Sequence, residues 1–414
     1  MTMSRRAFLG TAAVSVSPGL LRSIDPSHTP ASTPFHPQVA SEILGDRYDP
    51  WVEVIPKHVE EGIEAVRGLS GNRPILAVVK NNGYGLDLAT VGKILQANQG
   101  ISGFAVVKGE EALTLRAAGI EKPILLMGMF SSDQGRALAE AQVEFSAFTP
   151  DVAERLVPLA RALGRPVAVH VYLDTGMGRM GMSFRNALPW MTELSRHPEI
   201  HIHGTFTELG EDADFDLEQL RRFLELTEKA REAGVDTGHL HAAASNGVFH
   251  LPDGHLDLVR PGIALFGSYP SDPGRERTMA TLRSALRLRA RVVRVSHLQA
   301  GDGVGYGRPW VADRPTWVAT LPVGHADGYP RGAVNGARVL IGGQLFPVIG
   351  GVSASHCIVK VGDHRSVQVG DVVTLMGPDH QEVEPNVIAE TLGVSVYDLL
   401  MHVNPSLPRV LVSE

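Results

Sequence analysis

Residues 75–85 read ILAVVKNNGYG, a short apolar run that closes on Lys80 and breaks into a glycine-containing turn. The same texture recurs downstream in GFAVV (103–107), PILLMG (123–128), EFSAF (144–148), VAVHVYL (167–173), HIHGTFT (201–207), HLHAAAS (239–245) and LVRPGIALFG (258–267). Helical patterns fill the gaps. Thr149, Pro150 and Asp151 read as N-cap, first helical position and first-turn acid, while residues 216–234 space Leu217, Leu220, Leu224 and Ala230 along one face and stop at Gly234. Eight strand–helix repeats predict an α/β fold, a closed (β/α)8 TIM barrel over residues 41–282. From about residue 283 the texture changes to LRLRARVVRV, TWVATLPVG, ARVLIGG, LFPVIGG and VVTLMG, which predicts a C-terminal all-β domain over 283–414 with a last helix around 386–403. The eight units share no repeat of fixed period.

Composition narrows the class. The 414 residues are 43% hydrophobic and 20% charged, an ordinary globular balance, and the formal charge of −7 provides no polybasic surface for nucleic acid. Cys357 is the sole cysteine, which excludes an internal disulfide framework and a thiolate metal cluster. The N-terminus, MTMSRRAFLGTAAVSVSPGLLRS, sets Ser4, Arg5 and Arg6 before Ala7, Phe8, Leu9 and a small-residue apolar run. It resembles a twin-arginine export signal, and its apolar part falls short of the roughly 20 residues a membrane span needs. Residues 1–40 are therefore expected to be signal and linker, with a periplasmic or extracellular destination and no stable membrane anchor.

In a barrel, residues that close the strands form the active face. Lys80 closes the first run, where partial burial at the mouth would leave its amine available for Schiff-base chemistry. Ser245 closes the seventh, and Arg260 in the eighth precedes Pro261 and then Gly262 and Ile263, and the backbone amides of those last two suit an anion. Arg179 sits in the glycine-rich loop after the fifth. Each has a plain structural explanation, as surface lysine, loop serine or turn residue. As a set, a lysine, an anion cradle and two arginines around one mouth point to a phosphorylated aromatic cofactor, pyridoxal phosphate. His201 with His203 and His239 with His241 alternate on strands, but no Asp or Cys completes a ligand set, so no metal is expected.

The segments ILAVVKNNGYG, FAVVKGEEALTLRAAGI (104–120), LDTGMGRMG (173–181), RPGIALFG (260–267), VGYGRPW (304–310) and VGHADGYPRG (323–332) resemble the alanine racemase family, from about residue 45 to the C-terminus. The resemblance implies a pyridoxal phosphate barrel, a C-terminal β domain and a head-to-tail homodimer with shared active sites. It implies racemisation of alanine or a broader range of amino acids by two-base proton transfer, with Lys80 holding the cofactor and Tyr306 entering from the partner as the opposite-face base. Arg260 matches the arginine at the pyridine nitrogen, and His241 a histidine beside it. Tyr84, Ser245, Gly262, Ile263 and Tyr397 match the phosphate-binding set. Arg179 matches the arginine that contacts the catalytic phenol and the substrate carboxylate. A decarboxylase or aldolase on the same plan, or a non-catalytic cofactor-binding homologue, are the alternatives.

The departures from the family pattern cluster near the site. Tyr172 stands where a carbamylated lysine usually holds the Arg179 position, so that arginine is expected to lack its negative partner unless an anion such as chloride supplies one. Glu208 replaces a histidine that packs on the cofactor, Ala244 an asparagine, and His325 a tyrosine. SASHC (353–357) replaces a Met-Asp motif, which puts Ala354, Ser355 and His356 at expected substrate-contacting positions and suggests a larger or more polar pocket.

Overall fold

A computed structural model describes residue 45 and residues 47–413, and the expected export signal lies outside the described residues. Trp51–Val54 (β1) falls in the segment expected to belong to the barrel. Instead it pairs antiparallel with Leu286–Arg291 and parallel with Arg409–Leu411, in the sheet of the C-terminal half.

Seven parallel strands then build the barrel wall in chain order: β2 (Ile75–Val78), β3 (Ile101–Val106), β4 (Ile124–Leu126), β5 (Val143–Ala147), β6 (Val167–Asp174), β8 (Ile200–Thr207) and β9 (His239–His241), while β7 (Met182–Ser183) pairs with the end of β6. β2 and β4 are buried at every position, as expected for parallel strands covered by helices on one side and core on the other.

The eighth run, 258–267, forms no strand. Pro261 has no N–H to give to a ladder, and Ile263–Phe266 winds into a 3-10 turn. The ring still closes through isolated bridges, Val259 to Ile75 and Arg260 to Ala244. Leu76 N donates to Val259 O at 2.9 Å, Val78 N to Pro261 O at 2.9 Å, and Arg260 N to Ala243 O at 2.8 Å. Arg260 is thereby clamped between first and last strands at the mouth.

The helix expected from Thr149 begins at Val152, with Thr149 and Pro150 spent on the preceding turn. In the helix Ala213–Glu232 the buried stripe is Leu220, Phe223, Leu226, Thr227 and Ala230, whereas Leu217 and Leu224 are 53% and 39% exposed. Asp216 and Gln219 extend the stripe in place of Leu217, because their oxygens accept Gly210 N at 2.9 and 2.8 Å and so tether the chain just beyond β8.

The second sheet has nine strands, β10 (Leu286–Arg291), β11 (Arg294–Leu298), β14 (Thr316–Leu321), β15 (Arg338–Ile341), β16 (Gln344–Ile349), β17 (Cys357–Gly362), β18 (Val372–Met376) and β19 (Arg409–Leu411) joining β1 in the order β11-β14-β17-β16-β15-β18-β10-β1-β19. A separate hairpin, β12 (Gly303–Val304) with β13 (Trp310–Val311), projects Tyr306 at its turn. The late helix Val396–Met401 returns to the barrel mouth, where the Tyr397 ring lies 6.3 Å from that of Tyr84.

Candidate active site

The chain leaves β2 through Lys80 and then takes four consecutive residues in the left-handed region, Asn81, Asn82, Gly83 and Tyr84, with φ of 53°, 56°, 61° and 55°. Each residue with a Cβ costs about 1–2 kcal/mol in that conformation, so the turn needs outside support. Glu111 gives it, accepting Asn81 N at 2.6 Å, Val107 N at 3.2 Å and Lys108 N at 3.1 Å. Asn82 adds its Oδ1 to Leu88 N at 3.0 Å. Lys80 and Tyr84 are thus fixed on one wall of a cavity of about 530 Å³, which Tyr172, Arg179, Glu208, Ser245, Arg260, Gly262 and Tyr397 also line.

One corner gathers Ser245, the 262–264 turn and the Tyr84 and Tyr397 phenols, with the Gly262 and Ala264 amides already bonded to Ser245. Ser245 Oγ accepts Gly262 N at 3.0 Å and Ala264 N at 3.3 Å, which draws the start of the helix Ser245–His250 against the 262–264 turn. Ile263, fully buried, sits inside that turn. A Cβ on Gly262 would lie 2.1 Å from the Tyr84 hydroxyl, so only glycine admits the phenol there. Burial pushes the Tyr84 and Tyr397 phenols up, which keeps both as neutral O–H donors.

The cavity floor is Arg260, 1% exposed. Its Nη1 donates to Nδ1 and to the carbonyl of His241, both at 2.9 Å, and its Nη2 to Thr207 O at 2.8 Å and Glu208 Oε2 at 3.0 Å. A guanidinium only donates, so His241 Nδ1 must accept and its Nε2 carries the proton. That Nε2–H donates to His170 Nδ1 at 2.8 Å, and His170 Nε2–H donates to Glu144 Oε2 at 2.8 Å. Glu144 Oε1 accepts from His203 Nδ1 at 2.9 Å. Burial, reinforced by the Arg260 charge, holds His241 well below the usual imidazole range, and burial also lowers His170, so both stay neutral. Burial works against the Glu144 charge, but two imidazole N–H bonds outweigh it and hold the carboxyl at about 2. Its bond to Glu144 raises His203.

Glu144, His170 and His203 bring ligand atoms within 4.8 Å of one another, so a carboxylate does join the strand histidines. A metal on His170 Nε2 would move that ring's proton to Nδ1, facing the Nε2–H of His241, which Arg260 prevents from turning. The site is built as a hydrogen-bonded chain and not as a cation cage.

The departures are arranged around Arg179. Tyr172 stacks on Phe206, ring centroids 4.3 Å apart, and Phe206 stacks on His241 at 5.0 Å, so an aromatic layer fills the barrel below the cavity. Burial raises the Tyr172 phenol, and its hydrogen bond to Arg179 opposes that shift. The expectation that Arg179 lacks a negative partner is corrected: Glu208 Oε1 lies 4.0 Å from Arg179 Nη2 while Oε2 binds Arg260. One carboxylate stands between both guanidinium groups. Ala244 is the N-cap of the Ser245 helix and contributes only backbone bonds there.

Tyr306, Ser355 and His356 do not line this cavity. Tyr306 is 93% exposed on its hairpin. Ser355 and His356 lie exposed in the turn before β17, where Ser353 Oγ accepts His356 N at 3.1 Å. Ala354 O accepts Ala326 N at 3.0 Å, and His325 Nε2 accepts from Arg331 at 2.8 Å, so both substituted loops pack on each other within the β domain. Sequence reasoning missed Glu111, the Glu144–His170 link and the lining residues Met127, Met177 and Met180, since each alone reads as a core or capping residue.

Comparison with known proteins agrees with this architecture. The family model described as the alanine racemase N-terminal domain matches residues 56–270, and the alanine racemase C-terminal domain matches 285–411. The alanine racemase of Desulforamulus reducens is 34% identical over 369 residues, covering 87% of this chain and 98% of the relative. Alanine racemase 1 of Clostridium acetobutylicum is 31% identical over 368 residues, covering 87% and 95%. The solved alanine racemase of Clostridium difficile 630 superposes with a TM-score of 0.83 at 27% identity, covering 89% of this chain and 97% of that one. Two family domains matched in order across almost all the described residues, on a fold whose mouth brings Lys80 and Arg260 together, establish that the chain belongs to the alanine racemase family.

Proposed function

We propose that this chain is a pyridoxal phosphate-dependent racemase that interconverts L- and D-alanine, working as a homodimer. The observation that carries the reading is the buried Arg260, a permanent cation on the floor of the cavity that Lys80 borders. The cavity fits the cofactor group by group: Lys80 for its aldehyde, the Ser245–Gly262 corner with the Tyr84 and Tyr397 phenols for its phosphate, and a guanidinium for its pyridine nitrogen. Bound there, the cofactor would supply an electron sink for the substrate α-carbon.

The protein's own share is proton placement. The Lys80 Nζ takes or returns the α-proton on one face of the substrate. The opposite face needs a second acid–base group, for which the family resemblance points to Tyr306. The Tyr306 Oη is a proton carrier on an exposed hairpin, suited to enter the cavity of a second copy. Arg179 fixes the substrate carboxylate, and Glu208 restrains Arg179. Ala354, Ser355 and His356 would arrive from that same second copy, and the small Ala354 supports a substrate range beyond alanine.

The deciding experiment follows exchange of the α-proton with deuterated solvent, together with loss of optical rotation, for alanine, serine, lysine and arginine. Exchange with alanine is expected. Absence of exchange with all of them, or release of carbon dioxide or an aldehyde instead, overturns the reading. The Ser4-Arg5-Arg6 segment supports export by the twin-arginine route, which moves folded proteins and would carry cofactor already bound. Fractionation of the native host tests it, and a wholly cytoplasmic protein refutes it.

A further inference from the structure

Beneath the cavity, a polar chain descends through the barrel interior from Arg260 to Glu144, through two buried imidazoles and three bonds of 2.8–2.9 Å. Four residues on four separate segments supply it, and it emerges at a cleft of about 260 Å³ that Glu144 borders with Arg116 and Arg165 at the N-terminal ends of the strands. Nothing in the proton transfers described above uses this chain, yet apolar packing would be the default filling for a barrel interior.

The two ends have fixed and opposite polarity. Arg260 can only donate and an ionised Glu144 can only accept, so the two neutral imidazoles between them have one consistent arrangement of protons. We infer that Glu144 is a positioning residue for Arg260, locking His170 and His241 each in the Nε2–H tautomer so that His241 Nδ1 always faces the guanidinium as an acceptor. Without an acceptor at Glu144, His170 is free to carry its proton on Nδ1. That proton would face the Nε2–H of His241, which Arg260 holds in place, so two N–H groups meet within the chain unless His241 gives up its bond from Arg260 Nη1. The guanidinium keeps Glu208 and its carbonyl partners His241, Thr207 and Ala242 but loses the ring acceptor that Nη1 shares with the His241 carbonyl.

His203 is the spare partner. Its side chain is 39% exposed, so it can offer either tautomer to water and does not constrain the chain. That asymmetry separates an acceptor role for Glu144 from a purely electrostatic one. Glu144→Gln keeps one oxygen for His170 while His203 changes tautomer, whereas Glu144→Leu fills similar space with no acceptor.

The inference rests on the proposed role of Arg260 toward the cofactor, and its test is read without substrate. Histidine ¹⁵N shifts of the cofactor-loaded protein, assigned with His170→Gln and His241→Gln, should show both rings neutral and protonated on Nε2 from about pH 6 to pH 9. An Nδ1–H or cationic form of either ring in the wild type overturns the inference. In Glu144→Gln both signals should persist and kcat stay near wild type. In Glu144→Leu they should shift or split, with kcat reduced about ten- to a hundredfold at little change in KM, the range typical of partners that orient a functional group from behind. Glu144→Leu with unchanged tautomers and unchanged kcat, or Glu144→Gln as impaired as Glu144→Leu, overturns it. If Glu144→Leu fails to fold, the wild-type and Glu144→Gln spectra decide. A chain that racemises nothing but shows the two expected tautomers would refute the proposed function and leave the lock standing.

Discussion

The barrel mouth and the β-domain loops carry the side chains proposed to act in the reaction, in opposite conditions. Arg260 is 1% exposed and bonded on every side, whereas Tyr306 is 93% exposed on a hairpin with glycine before and after it. The barrel half is preorganised by its own chain, down to a left-handed turn that Glu111 stabilises after Lys80. The loop half has no such frame. Under the proposed function, a reaction that needs proton carriers on both faces of one carbon would obtain the first from a rigid cradle and the second from a surface element that has to dock, which would make assembly a condition of activity.

The largest test of that contrast is Lys80→Ala. Racemisation should fall to background, and pyridoxal phosphate should no longer be fixed to the protein by borohydride, as mass spectrometry would read. Fixation undiminished in Lys80→Ala would remove the barrel from its assigned role. Tyr306→Phe should lower kcat by about 10²- to 10⁴-fold, the usual contribution of a positioned acid–base group, while cofactor absorbance and thermal stability stay at wild-type values. A drop in stability would mean the hairpin is a structural part of its own chain.

Mixing the two inactive proteins sharpens the comparison. If Lys80 and Tyr306 of one site come from different copies, random exchange of subunits restores about a quarter of wild-type activity, because half the dimers then hold one intact site of two. No recovery under conditions where labelled subunits do exchange would place both residues in one chain.

The same division governs how much the sequence discloses. Lys80, Ser245 and Arg260 are legible because a barrel puts functional groups where apolar runs end, and each of these closes or interrupts such a run. The eighth strand is misleading because Pro261 cannot join a ladder, so the ring closes by two bridges. The four residues of β1 have no local sign of the sheet they join, since their partners lie more than two hundred residues away. Leu217 and Leu224 fit a helical period but sit beside the stripe that Asp216 and Gln219 occupy to hold Gly210. Glu144 and His170 look like isolated polar residues in apolar strands until pairing aligns them, which spacing within one strand cannot show.

Glu208 tests the electrostatics of the barrel half with a smaller effect. Glu208→Gln retains a hydrogen bond to Arg260 but removes the charge shared with Arg179. Arg179 then meets the substrate carboxylate without competition and without its restraint, so KM and kcat should both fall, each by roughly 1 kcal/mol, about fivefold. A rise in KM at constant kcat would show that Glu208 does not act through Arg179.

The smallest effect is a pH signature confined to the barrel interior. The Glu144 carboxyl is held at about 2 against a usual 4.5, so between those values the unfolded chain binds more protons than the folded one. Stability from this group is therefore complete above about pH 5.5, declines as pH falls through 4.5 and is gone below 2. His203, whose affinity is raised, contributes the opposite trend, losing stabilisation as pH rises above the usual imidazole value, and is constant in the acidic window. His170 and His241 are lowered and weaken the fold on acidification; the Glu144 charge raises His170, so that weakening is larger in Glu144→Gln and subtracts from the decline due to the carboxyl itself. The difference in urea stability between wild type and Glu144→Gln should consequently shrink by about 1 kcal/mol from about pH 5.5 to pH 3.5. Tyr306→Phe should track wild type across the same range, because the substitution leaves the Glu144–His170 bond untouched. A pH-independent difference for Glu144→Gln would mean that the carboxylate is not the charged terminus of the chain to Arg260.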